Sequence, residues 1–148
     1  MAIVARRAEI GDLAEASAIV AEYCDAVGVV ARDVTLLPYF QAGSGLWLAG
    51  EGGPALGCIA LRPLPAIEGA CEVKRLYVRP AARGRGAAAL LLAALHAYAL
   101  GCGYRAAYLD TKDDLLAAIR FYEEHGYRRC ARYNDNPQAT VFMRRALC

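Results

Sequence analysis

The segment VRPAARGRGAAALLL, residues 78–92, restricts this chain more than any other. A run rich in β-formers closes at Val78, a short arginine-bearing loop follows, and Gly84 and Gly86 stand just ahead of a long apolar stretch. Glycine permits backbone turns that a Cβ would block. The first turn of a helix has amides without intrahelical acceptors, at the positive end of its dipole. A strand, a glycine bend and a helix in that order form a seat for a phosphate or diphosphate, with Arg83 and Arg85 adding positive charge. The competing reading of this segment by itself is an ordinary glycine-bearing helix start.

Two other phosphate-binding patterns fit less well. Gly84, Gly86 and Ala89 satisfy the permissive form G-x-G-x-x-G/A, and Asp110 ends the next expected strand. In the dinucleotide fold, however, the first glycine follows the strand directly, whereas Arg79 to Arg83 intervene here. The residues beyond Asp110 are also too few for a second mononucleotide half. The kinase-type P-loop fails because no Lys-Ser/Thr pair follows the glycines.

The chain has 148 residues, enough for one domain, 1–148, with one core and no need of metal or disulfide staples. Hydrophobic residues at 57% and charged residues at 22% exclude a disordered chain. A net charge of +2 is too small to argue for a nucleic-acid partner or an anionic membrane. The longest apolar stretch, Ala87 to Leu100, is interrupted by His96 and reads as a buried helix rather than a membrane span. Paired Arg6 and Arg7 are followed by acidic residues instead of an apolar run, so no signal peptide is expected and the cytoplasm is the expected compartment. The six cysteines, at 24, 58, 71, 102, 130 and 148, form no C-x-x-C pair and lack a histidine at ligand spacing. They read as small apolar fillers, with no metal site.

The patterning predicts a strand over Ile3–Arg7, then a helix from Asp12, with Glu15 completing a capping box and Gly28 ending it. A weaker helix over Asp33–Phe40 is perturbed by Pro38. Strands follow over Leu46–Ala49 and Leu56–Leu61, around an EGGP turn, and over Cys71–Val78. A buried helix from about Gly84 to Leu100 leads to a strand over Tyr104–Asp110. A helix starting within Thr111–Asp114 and reaching His125 places Leu115, Ile119 and Tyr122 on one face. Two strands, Tyr127–Tyr133 and Thr140–Leu147, close the chain around NDNPQ. The order β, α, α, β, β, β, α, β, α, β, β is that of an α+β domain whose mixed sheet switches from antiparallel to parallel pairing. Trp47 and His96 read as core residues.

Arg83-Gly84-Arg85-Gly86-Ala87-Ala88 resembles the Q/R-x-x-G-x-G/A signature of the GNAT N-acetyltransferase family. The preceding CEVKRLYV and the later AIRFYEEHGY, residues 118–127, are similar to that family's other motifs, in the family's order. The resemblance implies a central sheet of six to seven strands flanked by about four helices, with one central strand pair splayed apart. It further implies acetyl-CoA as cosubstrate, its diphosphate held by Arg83, Gly84, Arg85, Gly86, Ala87 and Ala88 and its pantetheine arm along Leu76, Tyr77 and Val78. Tyr122 stands where the family places the acid that protonates the leaving thiolate, and it also contacts the cofactor. Glu72 stands where one branch of the family places a general base. Strand alternation puts Glu72, Lys74 and Leu76 on one face if no bulge intervenes, and Lys74 would then favour ionised Glu72 or attract a substrate carboxylate. Tyr133 and Asn134 would cap the acceptor pocket. Two positions depart from the family pattern: an asparagine is replaced by Leu115 and a lysine by Glu124. The implied activity is acetyl transfer to a primary amine of a small, amino-acid-like molecule. A protein or peptide acceptor, or a non-catalytic acetyl-CoA-binding module, are its alternatives. The family's habits allow a homodimer.

Overall fold

The computed structural model describes residues 2–28 and 35–148. Seven strands form one sheet in the order β1-β2-β3-β4-β5-β7-β6. They are β1 (Val4–Arg7), β2 (Gly45–Gly50), β3 (Gly57–Pro63), β4 (Ala70–Val78), β5 (Ala106–Thr111), β6 (Arg128–Arg129) and β7 (Val141–Ala146). All neighbours pair antiparallel except β4 and β5, which are parallel. Three α-helices stand among the described residues: α1 (Leu13–Val27), α2 (Ala87–Gly101) and α3 (Leu116–Glu124).

Strand alternation splits the apolar side chains between two faces. Ile59, Leu61, Cys71, Val73 and Leu109 pack with Leu91, Leu92 and Leu95 of α2 and Ile119 of α3. Leu46, Leu48, Cys58, Ala60 and Tyr77 pack with Ala16, Ile19, Val20 and Cys24 of α1. Buried in the first of these clusters, Trp47 is 4% exposed. Apolar nearly all round, α2 lies across the sheet rather than in a bilayer. Among the described residues no helix is long and apolar enough to cross a membrane.

Several expected boundaries shift for identifiable reasons. The expected capping box at Asp12 and Glu15 is not the one formed. Glu9 and Asp12 cap a short 3-10 turn over Ile10–Asp12, and Glu15 instead accepts from the Ala55 amide at 3.1 Å. Of the helix expected over Asp33–Phe40, Asp33 and Val34 lie outside the described residues, and the remainder shows only a 3-10 turn over Leu37–Phe40. Pro38 disfavours α geometry in the residue before it, which keeps the turn short. The long helix begins at Ala87 rather than Gly84, because Gly84 and Gly86 adopt left-handed φ of 79° and 83°. The strand expected over Tyr127–Tyr133 leaves the ladder after Arg129. Beyond it the chain turns toward the centre of the sheet, where Tyr133 and Asn134 find partners. Only part of the cysteine reading applies: Cys24, Cys58 and Cys71 are buried, whereas Cys102 and Cys148 are exposed.

Candidate active site

The cleft comes from the one parallel strand pair. β4 and β5 pair only through Ala70↔Ala106, Cys71↔Ala107 and Glu72↔Tyr108. Beyond Glu72 the strands part, and the edge of β4 from Val73 to Val78 has no strand beside it on that side. Unpaired strand backbone needs another hydrogen-bonding partner. A cleft of about 770 Å³ opens at this gap. Its walls include Lys74, Arg75, Leu76, Tyr77 and Val78 of β4, and Asp110 and Thr111 of β5. Phe121 and Tyr122 of α3 and Tyr23 and Val27 of α1 add further wall. Four cations, Lys74, Arg75, Arg83 and Lys112, face two carboxylates, Asp110 and Asp114, so the cleft is net positive.

A bulge interrupts β4 at the mouth of the gap. Cys58 stands opposite Tyr77 and Ala60 opposite Lys74, so Arg75 and Leu76 together oppose Ile59. The extra residue moves Leu76 to the α2 face, where it packs beside Val78. The expectation that Glu72, Lys74 and Leu76 share one face is therefore corrected: Leu76 does not.

At the end of β4, the Arg83 guanidinium Nε donates to the Val78 carbonyl at 3.0 Å. The first bond of α2 runs from the Leu90 N–H to the Gly86 carbonyl at 3.1 Å. The amides of Ala87, Ala88 and Ala89 precede it and have no intrahelical acceptor. No atom lies within 4 Å of where a Cβ would stand on Gly84 or Gly86, so the bend is open on that side. Bare amides, a helix dipole and an unobstructed bend are a fit for the diphosphate of acetyl-CoA. Of the residues expected here, Arg83, Gly84 and Ala88 line the cleft. Gly86 and Ala87 lie at the helix start without lining it, and Arg85 turns away to pair with Glu51 at 2.6 Å.

Tyr122 lines the cleft although the residue is only 7% exposed. Its hydroxyl makes no hydrogen bond to a described residue. Burial first, and then the neighbouring Tyr23, Tyr127 and Asp110, raise its pKa well above the ordinary value, so the hydroxyl keeps its proton. Behind it, the Tyr127 ring packs edge-on at 5.5 Å. The Tyr127 hydroxyl is 2.7 Å from His96 Nε2, and Arg145 Nη1 is 2.9 Å from His96 Nδ1. Arginine can only donate, so Nδ1 accepts and Nε2 carries the proton. His96 is 9% exposed, a core histidine, and burial lowers its pKa to about 4.

Glu72 is fully buried and does not line the cleft. Arg62, its register partner on β3, holds Oε1 at 2.7 Å. Tyr133 donates to Oε2 at 2.6 Å and Asn134 at 3.3 Å. Tyr133 and Asn134 thus stand behind the cleft, not in its wall. Asn134 also donates to Asp110 Oδ2 at 2.7 Å, and Lys74 lies 3.5 Å from Asp110 and 3.8 Å from Glu72. Asp110, which sequence reasoning left out of the site, is the carboxylate of this network that reaches the cleft. Its signal was a lone acidic residue at the end of a strand. Among the described residues no group of three or more His, Cys, Asp or Glu is arranged to hold a metal ion.

The description of the acetyltransferase (GNAT) family fits residues 17–127 of the chain. An uncharacterized N-acetyltransferase of Schizosaccharomyces pombe is 43% identical over 95 residues, covering 64% of this chain and 58% of that one. The chain spans little more than half the length of the curated relatives it matches. A GNAT-family acetyltransferase of Staphylococcus aureus superposes with a TM-score of 0.87 at 19% identity, covering 99% of this chain and 100% of that one. The PaiA N-acetyltransferase of Thermoplasma acidophilum, solved in complex with coenzyme A, superposes with a TM-score of 0.81 at 17% identity, covering 99% of each. At such identities the likeness is one of fold. With the family pattern running through three quarters of the sequence and the splayed sheet beneath it, the chain belongs to the GNAT acetyltransferase family.

Proposed function

We propose that the protein transfers the acetyl group of acetyl-CoA to the primary amine of a small, amino-acid-like molecule. The observation that carries this reading is the parted β4–β5 pair, with a protonated tyrosine on one side and the bare amides of α2 at its end. The coenzyme A complex of PaiA, a protein of the same fold, supports the choice of cosubstrate. Acetyl-CoA supplies an activated acyl thioester. Arg83, Gly84, Gly86, Ala87 and Ala88 would hold its diphosphate, and Leu76 to Val78 would align its arm.

The remaining chemistry belongs to side chains. The attacking amine must lose a proton, and the departing sulfur must gain one. Tyr122 holds a proton at the gap and is the acid in this reading. Asp110, in the cleft wall, takes the amine's proton directly or through water, while Glu72 fixes Asn134 and Lys74 against it. Tyr23 and Val27 of α1 line the same cleft as Asn136 and Gln138 of the loop before β7. A cleft walled by a helix and a loop as well as by strands suits a compact amine better than an extended chain.

Thermal melts with acetyl-CoA, followed by thiol-release assays on an amine panel, test the proposal. Saturating acetyl-CoA should raise Tm; a concentration a hundredfold above Kd is equivalent to about 2.7 kcal/mol. Tyr122→Phe should keep that shift while kcat falls about a hundredfold. Absence of a Tm shift rejects the cosubstrate. A shift without thiol release from any amine favours a non-catalytic binding module, and faster turnover of peptides than of free amines favours a protein acceptor.

A further inference from the structure

Two irregularities of the fold meet in one residue. Arg75 is the one non-glycine residue among the described ones with a left-handed φ, 61°. Its Nε is also the one buried side-chain polar atom among them without a hydrogen-bond partner. Each is destabilising, and such strain persists where the surrounding structure enforces it, often at ligand sites. Arg75 forms part of the cleft wall and lies within the bulge of β4. Its guanidinium reaches Cys24 Sγ at 3.7 Å and the Tyr39 hydroxyl, two neutral groups that supply no counter-charge. It makes no ion pair among the described residues, whereas Lys74 beside it is shared between Asp110 and Glu72.

We propose that Arg75 binds the carboxylate of an amino-acid acceptor and so selects which amines are acetylated. This rests on the acetyl-transfer reading for the identity of the reaction, though not for the binding itself. The planar guanidinium presents paired donors that match a carboxylate, and a carboxylate would supply the counter-charge that its neutral neighbours lack. Asp110, across the gap on β5, provides the opposite complement: one anionic group for the acceptor's ammonium, one cation for its carboxylate. A dianionic phosphate would meet Asp110 as a like charge, which favours the singly charged group.

The test uses Arg75→Gly, because glycine accepts the left-handed φ and keeps the bulge. Binding to the N-acetyl derivatives of the proteinogenic amino acids, and to matched amides without the carboxylate, is measured by calorimetry. At least one acid should bind the natural chain roughly 10- to 100-fold more tightly than its matched amide, and Arg75→Gly should erase the difference. A Tm for Arg75→Gly equal to or above that of the natural chain accompanies this result, since a residue held for stability would lower it. Arg75→Lys should recover only part of the preference, because ammonium lacks the fork. If no acid outbinds its amide, or if Arg75→Gly keeps the preference, the inference falls. Loss of acetyl-CoA binding with the acid preference intact would instead reject the acetyl-transfer reading alone.

Discussion

Two carboxylates, Glu72 and Asp110, share Asn134 and Lys74 beside the cleft, yet their surroundings differ. Glu72 has both oxygens occupied, one by Arg62 and the other by Tyr133 and Asn134, and it meets no solvent. A base must come within hydrogen-bond reach of the proton that it takes, or reach it through one water. Asp110 lines the cleft, with Oδ2 held by Asn134 and Asn136 and Oδ1 facing Lys74 at 3.5 Å, whereas Glu72 would reach the cleft only by displacing its partners. Asp110→Asn should therefore lower kcat roughly a hundredfold while acetyl-CoA affinity holds. Glu72→Gln should cost about 2 kcal/mol of stability, since charge-assisted bonds to Arg62 and Tyr133 weaken, while its kcat falls far less. Thiol-release rates and Tm values of both variants decide the assignment. A kcat that falls with Glu72→Gln and not with Asp110→Asn returns the base role to Glu72.

Strand–bend–helix was the part of the site most legible in the sequence, because its signals are local. Gly84 and Gly86 mark the bend, and the apolar run after them can only be a buried helix. The bulge was not legible. Nothing in CEVKRLYV announces that Arg75 and Leu76 face one residue of β3, and that single offset decides which face Leu76 joins. The burial of Glu72 was hidden for a related reason, since it depends on the register that sets Arg62 opposite and on a loop returning from residue 133. The bend yields its own prediction. Gly86→Ala places a Cβ on a residue at φ 83°, for about 1–2 kcal/mol of strain, although the space there is open. Relief by rotation would turn the amides of α2 away from the diphosphate seat. Acetyl-CoA affinity should fall about tenfold or more, alongside a lower Tm, in calorimetric titration. An unchanged Kd with a lower Tm would separate the bend from the cosubstrate.

Across the molecule, the order of strands and helices was readable because alternation and helical spacing reflect which faces are buried. Strand lengths near the end were not, because the long-range pull of Glu72 and Asp110 on the 130–140 loop outweighs local β-propensity there. The same long-range logic links pH to stability through His96, which joins α2 to Tyr127 and β7. Folded His96 has a pKa near 4, below its ordinary 6.5, so between these values the unfolded chain binds the proton more readily. Stability is therefore full above about pH 6.5 and is lost as pH falls toward 4. The loss is roughly 1–3 kcal/mol after allowance for solvent screening. Asp12, whose carboxyl Arg6 holds below the usual range, acts in the same direction but only below about pH 4. Denaturant melts at half-unit steps from pH 7.5 to 3.5 should thus show a first decline ahead of the carboxylate region. His96→Gln should lower stability at pH 7 and flatten that first decline, because glutamine takes up no proton. Protonated His96 would lose the Arg145 bond at Nδ1, two cations then facing each other, while its Nε2 proton stays hydrogen-bonded to the Tyr127 hydroxyl. A natural chain whose stability is level from pH 7 to 4.5 would remove His96 from this role.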